Sequence, residues 1–145
     1  MVLTALMVLA IVPAFCIMQI TVEPDGKPIT AADAAVVKEA LAATNELRLL
    51  VEQYYAEHGF YPSSNEQAGL KPPSSYSSGA LKTATVGRHG QIELILDKSS
   101  GRYDGNLTMV PLFKNEREGL IWNYQTTNLK GLEKYLPGCR YFKGR

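Results

Sequence analysis

TAADAAVVKEALAATNELRLLVEQYYAEHGFYP, Thr30 to Pro62, is the stretch from which the rest of the chain can be read. Val36, Ala40, Ala43, Leu47, Leu50, Val51 and Tyr54 recur at intervals of three and four, the spacing of one face of an α-helix. Thr30 is placed to cap the amino end, with Asp33 three residues on to bond back to it in a variant of the capping box. Gly59 suits the left-handed position just past a helix, and Pro62 bars continuation. A single helix of this extent would be roughly 40 Å long, more than a compact domain of this size needs from one helix. Its apolar stripe requires a sheet to cover it.

On the amino-terminal side, Val2 to Val22 is apolar except for Thr4, Gln19 and Thr21 and carries no charge. At helical rise it would span about 30 Å, the thickness of a hydrocarbon core, so residues 1–22 are expected to form a transmembrane anchor kinked at Pro13. A cleaved secretory signal fits less well, because no basic residue precedes the run and no small-residue cleavage site follows it. Phe15 is too bulky for the position before a lipidated cysteine, which argues against Cys16 as a lipid attachment point. Lys27 is the first positive charge, so flanking charge does not set the orientation. EPDGKPI, Glu23 to Ile29, is a Pro- and Gly-containing linker, leaving residues 30–145 as the head.

On the other side, SSNEQAGLKPPSSYSS, Ser63 to Ser78, reads as a long surface loop anchored by Leu70 and Tyr76. Short β-prone runs then follow. Ala80 to Val86, a GRHG turn, and Gln91 to Asp97 form a hairpin with Ile92, Leu94 and Leu96 on one face. Leu107 to Phe113 is a third strand, in which Pro111 favours an edge or a bulge, and Gly119 to Gln125 is a fourth, holding the only tryptophan, Trp122. The tail NLKGLEKYLPGCRYFKGR begins with a turn or short helical piece. The expected fold is therefore α+β: a long amphipathic helix packed on a four-stranded antiparallel meander, preceded by an apolar membrane segment.

The chain has 145 residues and a formal net charge of +1, which fits one domain plus an anchor and gives no general bias toward nucleic acid. Cys16 and Cys139 stand at opposite ends, one of them inside the apolar run, so they are not expected to pair. His58 and His89 have no second ligand at metal spacing.

The order of these features resembles that of the type IV pilins, and local words strengthen it. VEQYYAEHGFYPSSNEQAGL, Val51 to Leu70, is similar to the pilin pattern in which the helix ends in a tyrosine pair, a residue-Gly-aromatic-Pro stop, and then an Asn and an Ala-Gly-Leu. IWNYQTT, Ile121 to Thr127, is similar to the pilin strand containing Trp-x-Cys, and KYLPGCR, Lys134 to Arg140, resembles the Tyr-Leu-Pro-x-x-Cys-Arg type of ending. Val12-Pro13-Ala14-Phe15 resembles the Ile-Pro-Ala-Tyr at which pilin membrane halves bend.

There are two departures. The position matching the family's first C-terminal cysteine is Tyr124, which leaves Cys139 without the disulfide partner that the resemblance implies. The basic leader, the glycine cleavage point and the Phe-Thr-Leu-Ile-Glu start of pilins do not precede the apolar run, and the EPDGKPI linker is extra. The expectation is either a trimmed start or a pilin head on an uncleaved anchor.

Several residues invite a chemical reading that the pattern does not favour. Tyr54, Tyr55 and Tyr61 could stack bases, but tyrosines where a helix meets a sheet are ordinarily core with a wet hydroxyl. Glu46, Arg48, Glu52 and Glu57 fall mostly off the apolar stripe and read as solvated or subunit-facing. His58, Ser63 and Ser64 lack an orienting acid or a nucleophile elbow. KSSGRYDGN, flanked by Asp97 and holding Asp104, lacks the alternating oxygens of a calcium loop. Lys130, Lys134, Arg140, Lys143 and Arg145 read as solubilising or subunit-pairing charges and mark the first place to test for DNA.

The resemblance implies a non-enzymatic structural or accessory subunit of a pilus-like surface filament, without catalytic, metal or cofactor-binding residues and without a small-molecule substrate. Its partners would be itself or other pilin subunits, the inner-membrane assembly machinery and the membrane. It would reside in a bacterial inner membrane with a periplasmic head, or in an extracellular pilus after assembly, serving adhesion, twitching motility or DNA uptake. A secretion pseudopilus subunit is disfavoured by the KYLPGCR ending. The reading from a different class is a membrane-anchored binding or sensing module with this head that never polymerises.

Overall fold

A computed structural model describes residues 26–143. The expected anchor, residues 1–22, lies outside the described residues, and no helix among the described residues is long and apolar enough to cross a membrane.

The predicted single helix is two. α1 spans Ala31–Ala42 and α2 spans Asn45–His58. The capping box at the start of α1 is formed as expected: Asp33 N–H donates to Thr30 Oγ1 at 3.2 Å, and Thr30 N–H donates to Asp33 Oδ2 at 2.7 Å. The break has a specific cause in Thr44, which is fully buried. Its N–H and its hydroxyl both donate to the Leu41 carbonyl, at 3.1 and 2.6 Å, so the hydrogen-bond ladder tightens from four residues to three and the next turn must start afresh. α2 ends where the sequence said, on Gly59 at φ 75°, whose N–H donates to Tyr55 O at 2.8 Å.

Of the predicted stripe, Ala40, Leu47 and Val51 are buried, Val36, Leu50 and Tyr54 are half-buried and Ala43 is exposed; Ala34, Val37 and Leu41 complete the buried apolar set, so on α1 the buried face centres on Val37 and Leu41.

Five strands form one sheet in chain order: β1 (Leu81–Val86), β2 (Ile92–Leu96), β3 (Gly105–Asn115), β4 (Gly119–Thr126) and β5 (Cys139–Tyr141). The first four make the expected antiparallel meander. β5 corrects the four-stranded prediction: it lies parallel to β4, with Tyr124, Gln125 and Thr126 opposite Cys139, Arg140 and Tyr141. A parallel neighbour requires the chain to leave the end of β4 and cross back to the level of Tyr124 before pairing. The segment that does so includes a short 3₁₀ turn, Leu132–Lys134, and buries Leu129, Leu132 and Leu136. These three leucines stand at spacings of three and four, a helical signal too short to name a helix.

Alternation puts Leu81, Ala84, Val86, Ile92, Leu94, Leu96, Leu107 and Met109 on the inner face, and they join the buried helix residues in one core. Ile92, Leu94 and Leu96 are wholly buried, as their alternation requires. Pro111 sits where β3 has outrun β2, whose last pair is Ile92 with Met109, so one flank of β3 is open there and a residue without N–H is tolerated.

The Ser63 to Ser78 loop is more structured than a surface loop. Leu70 is buried and Tyr76 half-buried, as expected, and a 3₁₀ turn occupies Pro73–Tyr76. Its main tether is one that apolar counting misses. The buried Asn65 side chain donates from Nδ2 to Lys71 O at 2.9 Å and Ala84 O at 3.0 Å, while its Oδ1 accepts from Val86 N–H at 2.6 Å. A carbonyl and an N–H two residues apart point to the same side of a strand. Asn65 therefore pairs with the outer edge of β1 as a single-residue extra strand would, closing an edge otherwise open to another chain.

Candidate functional site

The last turn of α2 and the residues that follow it assemble the largest aromatic group. Tyr54 and His58, four apart on the helix, stack with ring centroids 4.0 Å apart at 15°. The left-handed turn at Gly59 reverses the chain so that Phe60 meets Tyr54 and His58 edge-on, at 5.7 and 5.8 Å. Tyr61 then stacks on Tyr55 at 4.5 Å, and Tyr55 lies 6.3 Å from Phe113 of β3. Burial raises the Tyr61 pKa, the neighbouring Tyr55 adds to the rise, and a backbone hydrogen bond with Phe113 opposes it. Gly90 has to be glycine for this packing: its φ is +70°, and a Cβ there would stand 2.9 Å from the Tyr61 ring.

These tyrosines are engaged with one another and half-buried, the core-with-wet-hydroxyl arrangement rather than an open stacking platform. The Tyr54 hydroxyl accepts from Gln67 Nε2 at 2.8 Å, which ties the following loop to the helix.

The outer part of the cluster is exposed. Phe60 is 53% and Phe113 45% accessible, and Phe113 lies on the β3–β4 ribbon where it projects past β2, whereas Leu112, its neighbour on β3, turns to the opposite face of the ribbon. Aromatic side chains held this open by rigid elements have the composition of an interface centre, and the charged Lys114, Glu116, Arg117 and Glu118 follow at the ribbon's turn.

Other sequence candidates resolve individually. Glu52 is not simply a solvated charge: its Oε1 accepts from Trp122 Nε1 at 2.6 Å and fastens α2 to β4. Glu57 accepts from Gln53, and Arg48 from within its own helix reaches Asn45. His58, Ser63 and Ser64 spend their hydrogen bonds elsewhere: both serines bond Gln67, while His58 Nδ1 meets Tyr54 O at 2.9 Å and its ring stacks on Tyr54. Asp97 caps the turn after β2 by accepting from Ser99 N–H, and the Ser99 hydroxyl and amide hold its pKa down; Asp104 pairs with Lys82 at 2.7 Å. Among the described residues no group of three or more His, Cys, Asp or Glu is placed to hold a metal ion. Lys130, Lys134, Arg140 and Lys143 are exposed, while Arg145 lies outside the described residues.

Cys139 is buried opposite Tyr124, and burial, with Glu133 adding, pushes its thiol pKa up to about 11. At neutral pH it is an inert apolar thiol. The register thus sets side by side the two positions that the resemblance associates with a disulfide.

No curated protein matches the chain. The family model for pilins, described as a bacterial filament protein, matches residues 35–140, which takes in most of α1, all of α2 and all four antiparallel strands. With a capped helix broken by a buried threonine, a sheet laid across it and this match over most of its length, the chain belongs to the pilin family.

Proposed function

We propose that this protein is a non-enzymatic structural or accessory subunit of a type IV pilus-like filament, and that its head packs against neighbouring copies through the aromatic surface that exposes Phe60 and Phe113. The observation that carries the proposal is that this apolar surface is exposed on rigid elements in a member of a filament-forming family. Removing it from water between copies supplies a non-directional attraction of about 25 cal/mol per Å² of apolar area. A filament needs a heterologous contact, in which this patch meets a different surface of the next subunit.

Residues 1–22 would anchor the subunit in the inner membrane before assembly and bury against one another in the fibre core afterwards. The Ser63 to Ser78 loop and the Asn128 to Arg140 segment then face neighbours or the medium, in adhesion, twitching motility or DNA uptake.

The test is to express the chain with a pilus assembly machinery and probe filaments sheared from the cell surface. Wild-type protein is expected in the sheared fraction. A Phe60→Ser/Phe113→Ser variant is expected there at tenfold lower level with its membrane level kept, and because each ring is about half covered within the head its melting temperature should fall by only a few degrees, leaving it folded at the growth temperature. Wild-type protein confined to the inner membrane would leave the non-polymerising binding module as the better reading.

A further inference from the structure

The outer face of the sheet, away from the aromatic patch and the core, carries a small cleft of about 240 Å³ lined by Asn106, Thr108, Gln125, Thr126, Thr127 and Phe142. Its construction follows from register. Thr108 pairs with Gln125 across β3 and β4, Asn106 lies two residues before the one and Thr127 two after the other. Alternation therefore brings all four polar side chains to the face opposite Leu107 and Met109. Phe142, just past β5, is held in place by its N–H donating to Thr126 O at 2.9 Å, and its ring is 47% exposed as one wall.

Part of the floor is fixed. Asn106 Nδ2 donates to Thr127 Oγ1 at 2.7 Å, and Asn106 Oδ1 accepts from Thr127 N–H at 2.9 Å and Thr126 Oγ1 at 3.3 Å. The Thr127 hydroxyl, already accepting, keeps its own proton to donate. The Gln125 carboxamide and the Thr108 hydroxyl make no side-chain hydrogen bond among the described residues, so two further groups that both donate and accept stand unspent on neighbouring strands.

From this arrangement we propose that the cleft binds one neutral sugar ring. No lining residue is charged, which gives a phosphate, a carboxylate or a cation no partner. Hydroxyl and carboxamide groups that each donate and accept match the donors and acceptors that a pyranose carries around its rim. An aromatic wall at one side suits the apolar C–H face of such a ring. The volume is below the usual range for drug-sized ligands and admits a single ring, with the rest of a glycan running into solvent. Arg140, opposite Gln125 on β5, is exposed beside the cleft and outside its lining.

The test uses the isotopically labelled full chain in a sugar-free detergent, titrated with galactose, glucose and N-acetylglucosamine while amide shifts are followed by NMR. Binding of at least one sugar is expected to move the Asn106, Thr108, Gln125 and Thr127 amides, saturably and independently of salt. Phe142→Ala and Gln125→Ala are each expected to weaken it at least tenfold, and Phe142→Tyr to retain it. Absence of saturable shifts with all three sugars, or shifts that survive both alanine variants, would overturn the proposal. The measurement is made on unassembled protein, so its outcome is independent of whether the chain forms filaments.

Discussion

Replacing Tyr124 by cysteine is expected to create a disulfide with Cys139 that the head accepts without rearrangement. The two residues are direct partners in the parallel β4–β5 pair, both on the inner face, and Tyr124 N–H donates to Gly138 O at 3.1 Å. Neighbouring strands stand about 4.8 Å apart, within the Cα separation that a disulfide spans. The bridge would close a loop of about fifteen residues, for which restriction of the unfolded chain is worth about 3 kcal/mol. Against it stands the loss of the half-buried tyrosine ring, about 1 kcal/mol by the area it covers.

The oxidised variant should therefore be about 2 kcal/mol more stable than the parent, and the reduced variant about 1 kcal/mol less stable. For a chain of this size the oxidised form would melt roughly 4–8 °C higher than the parent. The assay is urea unfolding of the full chain in detergent, with and without reductant, and intact mass to show loss of two hydrogens. Failure to oxidise under mild conditions, or an oxidised form less stable than the reduced one, would refute the Tyr124 to Cys139 register and with it the fifth strand.

The other expectations are simpler. Asn65→Ala leaves Ala84 C=O and Val86 N–H without their buried partner and should cost about 2–4 kcal/mol, with amide exchange at Val86 accelerated before the rest of the sheet. A double-mutant cycle of Glu52→Ala and Trp122→Phe should give a coupling of about 1–2 kcal/mol, since the 2.6 Å bond is charge-assisted yet only partly buried; additive effects would show that α2 and β4 are held by packing alone. Cys139 sets a pH window. Its thiol is neutral when protonated and its folded pKa is about 11 against an ordinary 9.0, so the unfolded chain releases the proton first as pH rises. Its contribution should be intact below pH 9 and decline toward pH 11, and Cys139→Ala should remove that part of the alkaline slope in denaturant midpoints.

Where local chemistry decides a feature, the sequence is sufficient. Thr30 with Asp33, Gly59 with Pro62, and the alternation of Ile92, Leu94 and Leu96 each act over a few residues, and the structure has them as written. The misread features are those in which a polar group enters the interior by satisfying itself there. Thr44 looks like a surface residue until its hydroxyl is spent on the Leu41 carbonyl, and that bond breaks the helix. Asn65 is invisible to apolar patterning because it replaces strand hydrogen bonds rather than apolar contacts. β5 is only Cys139–Tyr141, too short to carry alternation, and its position depends on Leu129, Leu132 and Leu136 filling the space beneath. The exposed Phe60 and Phe113 surface was legible as residues but not as a surface, because it forms only when a helix end and a strand ribbon converge.

The most direct test of the account is a cryo-electron microscopy reconstruction of filaments sheared from cells expressing this chain. It predicts a helical array of this head in which Phe60 and Phe113 are covered by a neighbouring subunit. Filaments that lack the chain, or an array in which that face stands open to solvent on every subunit, would contradict it.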